Sequence, residues 1–217
     1  MNWSNHVWKT IEPVYARILQ LPFIQELMNG TLPKDKFLFY LQQDAIYLSE
    51  YGKVLAGIAA RVNHHDYKQA LLKFAGDTVS VEQALHEFYL KDIDYTHRTE
   101  ASPSCMLYTG FLNSLLASRP VEEALAGVLP CFWIYKQAGD YILENQTKSE
   151  NAYQQWIDTY GGVEFAKAVS LAKAICDEVA DTCTNVQQQA MTQAFVLASK
   201  MEWMFWNSAW NMEQWPI

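Results

Sequence analysis

FLFYLQQDAIYLSEYGKVLAGIAARV, residues 37–62, reads as one long helix. Steps of four and three pick out Phe37, Leu41, Asp44, Leu48, Tyr51, Leu55, Ile58 and Val62. That spacing lines one face of an α-helix, where a strand would show simple alternation. Asp44 interrupts an otherwise apolar or aromatic seam. A carboxylate in such a slot needs hydrogen-bond partners or a ligand, because burying it bare is costly. Tyr47 lies beside it, three residues on.

The same periodicity extends in both directions. Pro33 suits the first helical position, so this helix is expected over about 33–62. A helix over 2–19 precedes it, followed by a turn through Leu21 and Pro22. Asn63, His64, His65 and Asp66 form a break, and 67–90 is helical again. Further helices are expected over 102–117, 119–145, 151–160, 163–182 and 186–212, with Gly161-Gly162 closing the short one. No β-branched alternation bounded by turns stands out, and no connection has a linker's composition. The expectation is an all-α fold: a single domain over 1–217, a bundle of seven or eight helices.

The chain has 217 residues, half of them hydrophobic, so a sizeable core is available. Sixteen Lys and Arg against 24 Asp and Glu give a net charge of −8. An acidic surface with few basic clusters argues against nucleic acid and anionic membranes as partners. No apolar run approaches the ~18 residues that span a bilayer. The opening MNWSNHVWKTIEP lacks the pattern of a secretion signal. With four cysteines and no Cys-x-x-Cys pair, reduced thiols and a cytoplasmic location are expected. Eight Trp and twelve Tyr exceed what a core alone calls for, and suit a subunit interface or a pocket for a flat ligand.

Two more seams carry polar residues. Met191, Phe195, Ala198, Glu202, Phe205 and Ala209 line one face of the last helix. Val121, Leu125, Val128, Cys131, Tyr135, Ala138 and Ile142 line another, within which GVLPCFWIYKQAGDY spans 127–141. Pro130 removes a backbone donor there, and a kink near Ala126 would open space at Cys131. Tyr135, one turn on, is placed to touch the thiol. A shorter helix offers Cys105, Tyr108, Leu112 and Leu115. Taken singly, each polar group reads as a core residue satisfied locally. Two core carboxylates and a thiol whose seams meet would instead mark a functional site.

Four segments carry a family resemblance: LPFIQELMNGTLPKDKFLFYLQQDAIYL (21–48), LPCFWIYKQAG (129–139), YQQWIDTYGGVEF (153–165) and SKMEWMFWNSAW (199–210). In these the chain resembles the thiaminase II (TenA-like) family of aminopyrimidine aminohydrolases, in the branch that keeps a nucleophilic cysteine. The resemblance implies a haem-oxygenase-like helical fold without haem, assembled as a homotetramer, with no metal or other cofactor. It implies hydrolysis of 4-amino-5-aminomethyl-2-methylpyrimidine, a thiamin breakdown product, to the hydroxymethyl pyrimidine, with thiamin as a related substrate. Cys131 matches the nucleophile and Glu202 the acid/base carboxylate near a ring nitrogen. Asp44 matches the group binding the aminopyrimidine edge. Tyr108, Tyr135 and Tyr160 match tyrosines near the ring, and Tyr47 and Phe205 its aromatic walls. Trp206 projects elsewhere by helical phase. Many relatives carry a larger aliphatic where Ala138 stands, which bears on substrate choice.

Two rivals stand beside this reading. One is a di-iron oxidase on the same scaffold, for which Glu82 and His86 have the i, i+4 spacing. It lacks a histidine over 172–183, while His64 and His65 fall in a break and His97 beyond a helix end. Glu82 is otherwise read as a surface ion pair ahead of an interior role. The other is a non-catalytic pyrimidine-binding or regulatory protein, which would have no need of a nucleophile. Cys105, in the first turn of a helix whose dipole can lower a thiol pKa, is the competing nucleophile. Cys176 and Cys183, seven apart, read as packing residues.

Overall fold

The computed structural model describes residues 2–89, 100–146 and 150–217, apart from the side chains of Val81, Glu82 and His86. In chain order the helices are α1 (Trp3–Leu19), α2 (Pro22–Met28), α3 (Lys34–Arg61), α4 (His65–Tyr89), α5 (Pro103–Ser118), α6 (Val121–Asn145), α7 (Gln154–Gly161), α8 (Val163–Asp181) and α9 (Asn185–Asn211). The described residues contain no strand, as the seams require. None of these helices is long and apolar enough to cross a membrane.

The helix count exceeds the expectation of seven or eight because of α2. Its seven residues start at Pro22 and bury Phe23, Ile24, Leu27 and Met28. Two turns are too short for periodicity to declare itself, so Leu21-Pro22 looks like a plain turn in the sequence. The break after α3 is also shorter than expected, since His65 and Asp66 already belong to α4. Asn151 lies before α7, and its side-chain amide donates to the Leu27 and Met28 carbonyls at 2.9 and 3.3 Å, closing the end of α2.

Local chemistry sets the helix ends. Ser102 Oγ accepts the Cys105 N–H at the start of α5, and Pro103 takes the first helical position. Thr184 and Gln187 form a capping box at the start of α9. Pro130 lies inside α6, which continues past it to Asn145. The start of α1 is capped from a distance. Asn2, its N-cap residue, makes no side-chain cap. Asp177 of α8 supplies the acceptor instead, taking the Ser4 N–H at 2.7 Å, the Ser4 hydroxyl at 2.8 Å and the Asn2 amide at 2.7 Å.

α6 lies in the middle of the assembly and packs against α9, α7, α8 and α5, while α3 packs against α4, α5 and α9. Most of α6 is buried, from Ala124 through Pro130 and again at Phe132 to Tyr135. α6 meets α7 backbone to backbone at Gly139, where an added Cβ would lie 2.7 Å from Gly161 N and from the Tyr160 carbonyl carbon. No larger residue fits that approach, which brings Tyr160 against α6. Ala138, next to it, is buried.

Asp177→Ala removes the acceptor of three hydrogen bonds at the start of α1. The expected loss is about 1–2 kcal/mol, seen as a lower urea midpoint with an unchanged slope. An unchanged midpoint would contradict this account of the α1 cap.

Candidate active site

α3, α6 and α9 bring the three interrupted seams together. Asp44 on α3 is 3% exposed and Glu202 on α9 is 1% exposed. Cys131 on α6 lies between them, within the electrostatic reach of both carboxylates. A cavity of about 570 Å³ opens at this point, within the usual ~300–1,000 Å³ range of small-molecule sites. Asp44, Tyr51, Cys131, Tyr135 and Tyr160 line its inner part. Leu48, Phe74, Phe132, Phe165, Ala168 and Leu171 give it apolar walls. At its edge stand two ion pairs, Lys73–Asp77 on α4 at 2.5 Å and Lys167–Glu164 on α8 at 2.7 Å.

The other expected site residues sit directly behind this lining, inside the core. Tyr108 donates its hydroxyl to Glu202 Oε1 at 2.8 Å. Its ring lies 4.8 Å from that of Tyr47, and Tyr47 lies 5.5 Å from Phe205. Tyr47, Tyr108, Glu202 and Phe205 are all buried and do not line the cavity. All eight residues singled out in the sequence therefore converge, four on the cavity and four behind it.

Three details differ from the sequence expectations. Tyr135 does not turn to the thiol. Its hydroxyl meets that of Tyr40 at 3.4 Å, and the hydroxyls that act on Cys131 are those of Tyr47 and Tyr51 on α3. Trp206 does reach the site, because its ring packs 4.7 Å from Tyr135 although its phase points away from Glu202. Its indole N–H is buried and has no hydrogen-bond partner among the described residues. Cys105 is fully buried, with Sγ 3.6 Å from the Gln43 carbonyl oxygen. Burial and the charge of Asp44 push its thiol up to about 12, the opposite of the lowering expected from the helix dipole. Of the remaining thiols, Cys176 is buried in α8 and Cys183 lies beyond that helix's end.

Tyr51 and Tyr40 are the site residues that sequence reasoning passed over. Tyr51 belongs to the α3 seam and reads there as packing. In the structure it lines the cavity, and its hydroxyl donates to the Val128 carbonyl at 2.7 Å, one turn before Cys131. Its helical phase, one turn beyond Asp44 and Tyr47, was the available signal.

The electrostatics of this interior are set by burial. Burial pushes the Glu202 carboxyl from 4.5 up to about 8; the hydrogen bond from Tyr108 opposes the shift and the charge of Asp44 adds to it. Glu202 is therefore a protonated acid at neutral pH. Burial also pushes the Cys131 thiol well above its ordinary value, and the Glu202 charge adds to that; Tyr47 and Tyr51 pull it down. Among the described residues, no cation is among the main causes acting on either group. The resting pair is thus a neutral thiol and a neutral carboxylic acid. Among the described residues, no three His, Cys, Asp or Glu side chains cluster as a metal site would require. The Glu82 and His86 side chains and His97 lie outside the described residues.

The Glu202 shift has a consequence for stability. The folded protein holds a proton that the unfolded chain releases above pH 4.5, so this contribution is complete below 4.5 and lost as pH rises through about 8. Glu202→Gln has no such proton. Its stability relative to wild type should rise between pH 5 and pH 9, by on the order of 3–5 kcal/mol. A difference between the two that stays constant over that range in denaturant titrations would contradict a raised Glu202 pKa.

Residues 8–212 match the TENA/THI-4/PQQC family model. The chain is 32% identical over 198 residues to an aminopyrimidine aminohydrolase of Bacillus subtilis, covering 89% of this chain and 84% of that protein. It superposes on a TenA homologue protein from P. horikoshii with a TM-score of 0.87 at 27% identity, covering 97% and 99% of the two chains. A domain of unknown function with a heme oxygenase-like fold, from Shewanella denitrificans, shares the fold alone, with a TM-score of 0.75 at 13% identity over 96% and 92% of the chains. The chain belongs to the TENA/THI-4/PQQC family, on the haem-oxygenase-like fold that the family resemblance implies.

Proposed function

We propose that this protein is an aminopyrimidine aminohydrolase, a thiaminase II of thiamin salvage. It cleaves the exocyclic C–N bond of 4-amino-5-aminomethyl-2-methylpyrimidine to give the hydroxymethyl pyrimidine and ammonia. The observation that carries this reading is a thiol, Cys131, opening on a cavity whose wall includes Asp44, with a neutral acid, Glu202, buried directly behind that lining. The relative from Bacillus subtilis, named for this activity, supports it.

The residues take distinct roles. Asp44 accepts hydrogen bonds from the amino-pyrimidine edge and fixes the ring's orientation; Tyr135 and Tyr160 face the ring, and Tyr47, Tyr108 and Phe205 back that wall from the core. Cys131 adds its sulfur to a ring carbon as Glu202, directly behind the lining, gives its proton to a ring nitrogen seated against it. The S–C bond interrupts the aromatic system, and a π pair of the dearomatised ring then moves to form an exocyclic C=C bond, expelling the amine from the methylene while the S–C bond stays intact. The amine leaves as ammonia with the proton released by the thiol, and Glu202 takes back the proton from the ring nitrogen. Water adds its oxygen to the methylene and supplies a proton. Rupture of the S–C bond restores the ring and, with that proton, the thiol. Substrate and water have become product and ammonia, with no change of oxidation state. Burial suits Glu202 to this task, because an acid with a pKa of about 8 is protonated at neutral pH and close enough to it to be exchanged.

The cavity's size favours thiamin as a second substrate. The cavity's volume of about 570 Å³ exceeds that of a single pyrimidine ring, and its lining beyond Asp44 and Cys131 includes Phe74, Phe165 and Leu171, apolar surface suited to a second ring on the leaving side. The protein works as a single helical domain in the cytoplasm, assembled as a homotetramer, without metal or nucleic acid. Leu72, Phe88, Met106 and Leu107 are exposed apolar side chains that an assembly of copies would cover.

Cys131→Ser should reduce ammonia release from the aminomethyl pyrimidine by at least about 10³-fold, the scale expected on losing a nucleophile that acts with its partners as a unit. Cys105→Ser should stay within about threefold of wild type, since its thiol lies off the cavity. Full activity in Cys131→Ser, or pyrimidine binding without ammonia release in wild type, would overturn the reading; the second result would favour a binding protein.

A further inference from the structure

We infer that Tyr40, a core residue of α3 that does not line the cavity, positions the two cavity phenols, Tyr135 and Tyr160, through its single buried hydroxyl. The inference rests on the aminohydrolase reading for its kinetic test, and on the structure alone for its geometry.

Tyr40 is fully buried, with its ring 5.1 Å from Phe23, 5.9 Å from Phe37 and 6.1 Å from Phe205. A phenylalanine would serve that aromatic nest as well, and burying a hydroxyl without partners is costly. The hydroxyl is provided for. The Trp156 indole N–H, which can only donate, donates to Tyr40 Oη at 3.1 Å. On another side stands the Tyr135 hydroxyl at 3.4 Å, at the long end for two hydroxyls. Tyr160 stands next to both partners, its ring packed on those of Tyr135 and Trp156.

A hydroxyl offers one hydrogen and two lone pairs. Trp156 occupies one lone pair. The Tyr135 hydroxyl takes up its other side, so Tyr40 holds Tyr135 directly and Tyr160 through the Tyr135 and Trp156 rings packed on it. The rings agree with this arrangement: Tyr135 and Tyr160 lie 4.8 Å apart, and Trp156 lies 4.7 Å from Tyr160. One side chain from α3 thus ties α6, which carries Tyr135, to α7, which carries Trp156 and Tyr160. The titratable groups that face the cluster are Asp44 of α3 and the Cys131 thiol of α6, both of which act on Tyr40, and Glu202 of α9, which acts on Tyr135. Tyr40 is a positioning residue, since it touches neither the cavity nor Cys131. Its removal frees two phenols that face the ring, so binding of the pyrimidine should suffer more than the chemical step.

Tyr40→Phe tests this, measured for kcat and KM with the aminomethyl pyrimidine in wild-type and Tyr135→Phe backgrounds. The expected result is a KM raised about tenfold with kcat within about threefold. In the Tyr135→Phe enzyme the same change should cost clearly less, because one of the two groups it holds is gone. Asp177→Ala, destabilised at α1 far from the cavity, serves as the control and should leave KM unchanged. An unchanged KM in Tyr40→Phe, an equal effect in both backgrounds, or an equal KM shift in Asp177→Ala would overturn the inference. If Tyr40→Phe does not fold, Trp156→Phe removes the donor and keeps the Tyr40 hydroxyl; it should raise KM in the same direction, and no rise would count against the inference. Should wild type release no ammonia, the aminohydrolase reading fails. The Tyr40 inference is then read by calorimetric binding of the same pyrimidine, which Tyr40→Phe should weaken.

Discussion

Burial is the condition on which this site depends. Asp44, Cys131 and Glu202 come from three different helices into an interior where desolvation is the largest influence on the thiol and on Glu202, and where no cation among the described residues is a main influence on either. In such a medium a second negative charge is costly, so Glu202 keeps its proton and Cys131 keeps its own. In the mechanism proposed above, proton donation to a bound ring and addition of sulfur belong to one event, because neither group ionises readily alone. The same condition limits stability, since each pH unit between the ordinary carboxylate range and about 8 favours the unfolded chain at Glu202.

The fold serves this condition by making α6 almost wholly interior. A helix covered on several sides can present a thiol to a cavity on one face while its other faces are sealed by α9, α8 and α5. The contact of Gly139 with the backbone at Tyr160 draws α7 against it, and the Tyr40 hydroxyl ties α3 to both. Precision at the ring is therefore supplied from behind the cavity wall, by residues that meet no solvent and no substrate. Such support is what a mechanism based on orientation demands.

How much of this was legible in the sequence depended on length and phase. Seams of the 25 or more residues in α3, α6 and α9 repeat often enough for Asp44, Cys131 and Glu202 to stand out as intruders. α2 has seven residues and showed no such repeat. Tyr40 falls one residue off the α3 seam, and Tyr51 falls on it, so one looked peripheral and the other looked like packing. The Cys105 thiol misled because the dipole of a helix start is visible in sequence while its burial is not, and burial wins. Trp206 points away from Glu202 by phase, yet a ring of its size still reaches Tyr135. Partners that meet through space, such as Asp177 and the start of α1, left no mark in local sequence at all.

The protonation state of Glu202 in the free protein tests the central claim most directly. An infrared difference spectrum between wild type and Glu202→Gln isolates that one carboxyl. The account predicts the carbonyl band of a protonated acid at pH 6.5, titrating away near pH 8. A carboxylate signature already present at pH 6.5, with no protonated band, would contradict it.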